Sequence, residues 1–83
     1  MDMSEIGVLV RQARKGMGLS QAQLGQSLGM SRATISGVET GAISEIGVRK
    51  LMALCAALGL EVSVGRRRQY PTLQELRRER HAP

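Results

Sequence analysis

Apolar positions recur at helical spacing along most of this chain and at strand spacing in one short stretch. From residue 4 to residue 15, Ile6, Leu9, Val10 and Ala13 fall at i, i+3, i+4 and i+7, the inner stripe of an amphipathic helix. Ser4 is its expected cap, Glu5 lies in the first turn, and Arg11, Arg14 and Lys15 come late, where cations suit the helix dipole. Gly16-Met17-Gly18 breaks that helix and Leu19 leads into the next. A second helix follows Ser20, whose spacing to Gln23 is that of a capping box, and Ala22, Leu24 and Leu28 are its apolar positions. Gly29 falls where a helix ends. Ser31 caps a third helix that turns Ile35 and Val38 inward and stops at Gly41. A fourth is predicted over about 45–58, capped by Ser44, with Val48, Leu51, Leu54, Cys55 and Leu58 as its stripe and Gly59 as its end. Met17, Met30 and Met52 are expected to fill core gaps in a chain without Phe or Trp.

Residues 20–41, SQAQLGQSLGMSRATISGVETG, carry the most information. Two short amphipathic helices joined by a tight Gly-containing turn make a helix-turn-helix, a unit that lays its second helix in a DNA major groove. With Ile35 and Val38 inside, Arg32, Ala33, Thr34, Ser36 and Gly37 are left near the outer side.

Beyond the fourth helix the period changes. Leu60-Glu61-Val62-Ser63-Val64 alternates apolar and polar residues, the pattern of a half-buried strand. No other segment reads as a strand, and a lone strand leaves its backbone donors and acceptors unpaired. The same strand from a second copy would pair them, so Leu60, Val62 and Val64 are candidate dimerisation residues; the alternative is an extended tail lying on the fourth helix. A dimer also brings two recognition helices to half-sites about one DNA turn apart. Arg66-Arg67-Arg68 follows, able to bind phosphate, enter a narrow minor groove, contact an acidic protein partner or simply stay solvated. Tyr70-Pro71 reads as a turn, and Thr72 and Glu75 form another capping box before a short helix to about Arg80. Leu73 and Leu76 are that helix's only apolar anchors.

Charge sharpens this division. The 83 residues carry 12 Lys and Arg against 7 Asp and Glu, a net +5, which suits a polyanionic partner. Residues 1–60 contribute six basic and four acidic residues, and residues 61–83 six and three, so the tail is the more basic segment. Cys55 is the single cysteine. It excludes a disulfide within the chain and is read as core, since no His or Cys stands at ligand spacing. No apolar run approaches the roughly 18 residues of a membrane span, and no signal peptide is apparent. His81 stands alone near the end, and no nucleophile–base pair, paired carboxylates or phosphate loop appears, so no enzyme activity, metal or cofactor is expected.

Residues 20–41 resemble the helix-turn-helix of the lambda-repressor/Cro superfamily, also called the XRE family, through Ser20-Gln21-Ala22, Leu24, Leu28-Gly29, Ser31, Thr34-Ile35-Ser36 and Glu39-Thr40-Gly41. With the flanking helices the resemblance covers roughly residues 4–60. It implies an all-α, lambda-repressor-like bundle of four helices, to which the reading above adds a short C-terminal β-strand for dimerisation. Residues 1–60 form the DNA-binding domain and 61–83 the dimerisation strand and basic tail. Two positions depart from the family pattern. Gly25 stands where Ala is usual at the helix crossing, and Gly37 stands where a base-reading side chain is common.

Carried over residue by residue, the family pattern gives Gln21 a phosphate contact at the N-terminus of the second helix and a brace to the recognition helix. Ser31 and Thr34 take further phosphate or base contacts. Arg32 and Ala33 face base edges, an arginine suiting guanine and an alanine methyl suiting thymine. Ser36 and Gly37 lie further along the same side. Arg14 and Glu39 match positions that form an ion pair tying the first helix to the third. The layout of core, strand and brief basic tail is similar to that of HipB-type antitoxins, which pair with HipA-type serine/threonine kinase toxins. The resemblance implies a cytoplasmic, nucleoid-associated homodimer that represses its own operon by binding double-stranded operator DNA and also binds a HipA-like kinase toxin. The alternative is a free-standing XRE-family repressor without a toxin.

Overall fold

The computed structural model describes residues 2–43 and 45–66. Four helices follow in order: α1 Met3–Gly16, α2 Gln21–Leu28, α3 Arg32–Thr40 and α4 Val48–Ala57. α3 packs against both α1 and α2 and so occupies the middle of the fold. Val10 of α1, Leu24 of α2, Ile35 and Val38 of α3, Leu54 of α4 and Leu58 just beyond it form the core; the first five are almost wholly withdrawn from solvent. Ile6, Ala13, Leu19, Leu28, Met30, Ile46 and Leu60 close over it.

The two middle helices begin and end where their capping residues put them. Ser20 Oγ accepts from Gln23 N at 3.0 Å and Gln23 Oε1 accepts from Ser20 N at 2.8 Å, which satisfies two of the orphan donors at the start of α2. Gly29 ends α2 at φ 66° and ψ 29°, a left-handed conformation that strains any residue with a Cβ. Met30 N then donates to Gly25 O at 2.8 Å. At this turn Gly25 is buried, and a Cβ there would lie 2.5 Å from the carbonyl oxygen of Met30. The crossing is therefore tighter than alanine would permit without movement.

Both outer helices start elsewhere than the sequence predicts. α1 is capped by Asp2, not Ser4: Asp2 accepts from Glu5 N and Glu5 accepts from Asp2 N, each at 3.0 Å. Asp caps as well as Ser, and the Asp2-x-x-Glu5 spacing closes a reciprocal box that Ser4 cannot form with a Glu. α4 starts at Val48 rather than near residue 45, and its N-cap is Gly47, at φ 87° with no side-chain cap bond. That positive φ interrupts the helical course, while Ile46 is turned toward the core instead. Ser44, the expected cap, lies outside the described residues. Val48, expected on the inner stripe, is 71% exposed at the first turn of the shortened helix. Leu9 likewise stands half out of the surface on the flank of α1.

After α4 the chain turns at Gly59, and Leu60 N donates to Cys55 O at 2.8 Å. Residues 61–66 belong to no helix, turn or strand. With α1 and α4 the start of this segment walls an apolar groove of about 210 Å³ that includes Ile6, Leu9, Leu51 and Val62. The expected turn at Tyr70-Pro71 and the helix after Thr72 lie outside the described residues, as do His81, Arg67 and Arg68. Among the described residues, no helix is long and apolar enough to cross a membrane.

Candidate nucleic-acid interface

α3 shows two contrasting sides. Ile35, Val38 and Glu39 are buried. Ala33, Gly37 and Thr40, at i, i+4 and i+7, lie on the opposite side, with Arg32 and Ser36 at the margins. Arg32 and Ala33 in the first turn of α3 are exposed, as is Thr40 at its end. Ser31 is exposed as the N-cap; its Oγ accepts from Thr34 N at 3.1 Å and shares a 2.9 Å hydrogen bond with Thr34 Oγ1. The two hydroxyls thus hold each other and keep only part of their hydrogen-bonding capacity for a ligand.

Gly37 is on the outer side but not open. The side chain of Ile43, from the loop after α3, sits directly over it: a Cβ on Gly37 would run into Ile43 Cδ1 and lie 2.5 Å from Cγ1. Ile43 N also donates to Gly37 O at 3.0 Å. Gly37 keeps its place on the outer side, and the group that covers it comes from six residues further along the chain.

Behind the outer face, a buried polar network fixes the angle of α3. Arg14 Nε donates to Glu39 Oε2 at 2.6 Å and Nη2 to Oε1 at 2.9 Å, a two-pronged pair between α1 and α3. The third arm, Nη1, donates to the carbonyl oxygen of Leu19 at 2.8 Å, in the turn between α1 and α2. Gln21 Nε2 of α2 donates to Glu39 Oε1 at 3.3 Å. Three helices and one turn therefore meet at a single carboxylate and a single guanidinium. Their side chains are only 2% and 10% exposed, respectively. Among the described residues no buried side-chain nitrogen or oxygen lacks a partner.

The electrostatics follow from that geometry. The hydrogen bond to Glu39 raises Arg14 above the ordinary arginine value, against the opposing effect of burial. Burial by itself pushes Glu39 upward, but hydrogen bonds from Arg14 and Gln21 and the charges of Arg14 and Arg11 outweigh it and hold the carboxyl below its usual range. Both groups therefore stay ionised at neutral pH. Cys55 is a buried free thiol that burial pushes up, which makes thiolate chemistry unfavourable there.

Two of these features lie outside the local sequence signals. Gly7 is buried because the backbone of α3 passes over it: a Cβ there would collide with the Val38 carbonyl oxygen and lie 2.7 Å from that of Glu39. The spacing Gly7, Val10, Arg14 does place all three on one stripe of α1, a signal that a charged residue on an inner face needs a buried partner. Nothing near Ile43 in the chain marks its seat on Gly37. Of the other candidates, Arg66, Val62 and Val64 are exposed and Leu60 partly buried, all outside the α2–α3 unit.

A helix-turn-helix family profile matches residues 10–64, from the middle of α1 through the whole α2–turn–α3 unit and on past α4. No individual curated protein matches the chain. The profile spans well over half of the sequence, and the chain belongs to the XRE helix-turn-helix family of DNA-binding transcription regulators.

Proposed function

We propose that this regulator is a homodimeric, sequence-specific repressor that acts as the antitoxin of a HipBA-like module, repressing its own operon and binding a HipA-like kinase toxin. The observation that carries the DNA-reading half is the outer side of α3, where Arg32 and Ala33 stand free while the buried Arg14–Glu39 pair holds the helix from behind. Contacts to phosphate fix register, and contacts to base edges specify sequence. Gln21, Ser31 and Thr34 serve the first purpose at the starts of α2 and α3, where unpaired backbone N–H groups favour an anion. Arg32 reads guanine, with Ala33 and Ser36 along the same groove. Arg66 and the two arginines after it supply a further basic contact to DNA or to the partner.

Arg32→Ala is expected to cost about 1–3 kcal/mol on the specific site and to relax sequence preference there. Titration against the chain's own promoter and against random DNA at one salt concentration checks this. Equal loss on both would make Arg32 a phosphate contact.

Dimerisation is supported by apolar surface left uncovered in the single chain: Val64 is fully exposed, Val62 is 43% exposed, and Val62 also walls the apolar groove. Pairing residues 60–64 of two copies would bury both side chains and satisfy the strand's backbone. Val62→Pro removes a ladder donor and is expected to convert the dimer to monomer in sedimentation. A dimer of unchanged strength would place the interface elsewhere.

The antitoxin assignment draws on the layout of a helix-turn-helix core followed by an alternating apolar segment and a basic tail. Purification from the native cells at native expression tests it. Recovery of a stoichiometric kinase-like protein supports the antitoxin; recovery of the chain alone, still binding its promoter, supports a free-standing repressor.

A further inference from the structure

Ile43 is a half-buried isoleucine whose cover does not come from the core. It is absent from the apolar side chains that close over Val10, Leu24, Ile35, Val38, Leu54 and Leu58. It lies instead on the outer side of α3, on the bare Cα of Gly37, tied there by the bond from its own N to Gly37 O. Gly37 is one helical turn beyond Ala33, and both are opposite the buried row Ile35, Val38 and Glu39. The middle of this face is therefore apolar from Ala33 to Ile43, with Thr40 one turn beyond Gly37 and the polar groups of Arg32 and Ser36 at its margins.

An isoleucine has nothing to offer a phosphate or a donor–acceptor edge. Among the groups displayed in a major groove, the one of matching chemistry is the C5-methyl of thymine. We infer that Ile43, seated on Gly37, is a specificity-determining residue that touches a thymine methyl in the bound DNA. The inference rests on the reading of α3 as the helix that enters the groove. It assigns to a loop residue the contact that the glycine beneath it cannot make.

The test deletes methyl groups one at a time. A binding site is first selected from random duplex DNA with the full chain, and each thymine is then replaced by deoxyuridine, which removes the methyl and keeps the base pair. For the unaltered protein, one thymine per half-site opposite Ile43 is expected to weaken binding about fourfold on losing its methyl, the factor that burial of one such group supplies. Ile43→Ala should abolish the response at that thymine and leave the response at others, such as one under Ala33, unchanged. Ile43→Val, which removes only the Cδ1 carbon and preserves the branch, should reduce it and guards against a folding defect in the alanine variant. The assignment is overturned if the unaltered protein and both variants respond to the same thymines by the same factors. Selection of no preferred site would instead overturn the groove-reading role of α3, and this inference with it.

Discussion

Glu39→Ala is expected to destabilise the protein by about 3–5 kcal/mol, the range seen when one member of a buried ion pair is removed. The loss exceeds that of an ordinary hydrogen bond because Arg14 would remain charged in a site where its side chain is only 10% exposed, with Leu19 O as its one described partner. Stability of roughly 0.05–0.15 kcal/mol per residue leaves a domain of this size little reserve against such a loss. Urea or thermal unfolding measures it, and a cost below about 1 kcal/mol would show the pair to behave as a solvent-screened one. Replacing both partners together, Arg14→Met with Glu39→Leu, should recover much of the loss because no charge is stranded. The pair also sets an acid limit. Glu39 titrates lower in the folded protein than its ordinary value of 4.5, so the unfolded chain takes up the proton first as pH falls. Its contribution is complete above that ordinary value and drains away as pH falls toward the depressed folded one. In Glu39→Gln this part of the acid dependence should be missing; an unchanged slope would place the acid sensitivity in other carboxylates.

Gly7→Val is expected to cost at least the upper end of the roughly 1–3 kcal/mol typical of overpacking. The atoms that a side chain would meet are the carbonyl oxygens of Val38 and Glu39, which belong to the backbone of α3 and cannot rotate aside. α1 would have to lift from α3, pulling Arg14 away from Glu39. The sign is informative, because Ala ordinarily stabilises a helix interior relative to Gly by about 0.5–1 kcal/mol. Gly16, at the other end of the same helix, has open space within 4 Å of where a Cβ would stand and serves as the control. Thermal melts should show Gly7→Val far below the unaltered chain and Gly16→Ala close to it. Equal melting temperatures for all three would mean that the α1–α3 contact yields without cost.

The α2–turn–α3 unit is legible in the sequence because its signals are local. Ser20 with Gln23, Gly29, and Ser31 act within a few residues of where they stand, and the structure uses each as the spacing predicts. The outer ends are less legible. Asp2 and Ser4 are both good caps, and only the reciprocal bond with Glu5 decides between them. At α4 the apolar period runs back through Ile46, and the glycine that interrupts it looks, in sequence, like a tolerable helix residue. The site shows the same limit. Arg32 and Ala33 are exposed on α3, whereas the cover on Gly37 depends on where a loop returns in space. The strand pattern at 60–64 meets no strand in the structure, where residues 61–66 belong to no helix, turn or strand; alternation gives each side chain a face but supplies no partner for the backbone.

α2 and α3 are 8 and 9 residues long, below the length at which a helix persists by itself in water. Their order is borrowed, through Glu39, from α1 and from the turn at Leu19. The reading head is consequently not a module that can fray and re-form while the remainder stays folded; its order and that of the bundle are one equilibrium. A substitution in α1 that touches no DNA would therefore register in a cell as lost regulation, by the same route through which a modest loss of stability lowers the level of folded protein.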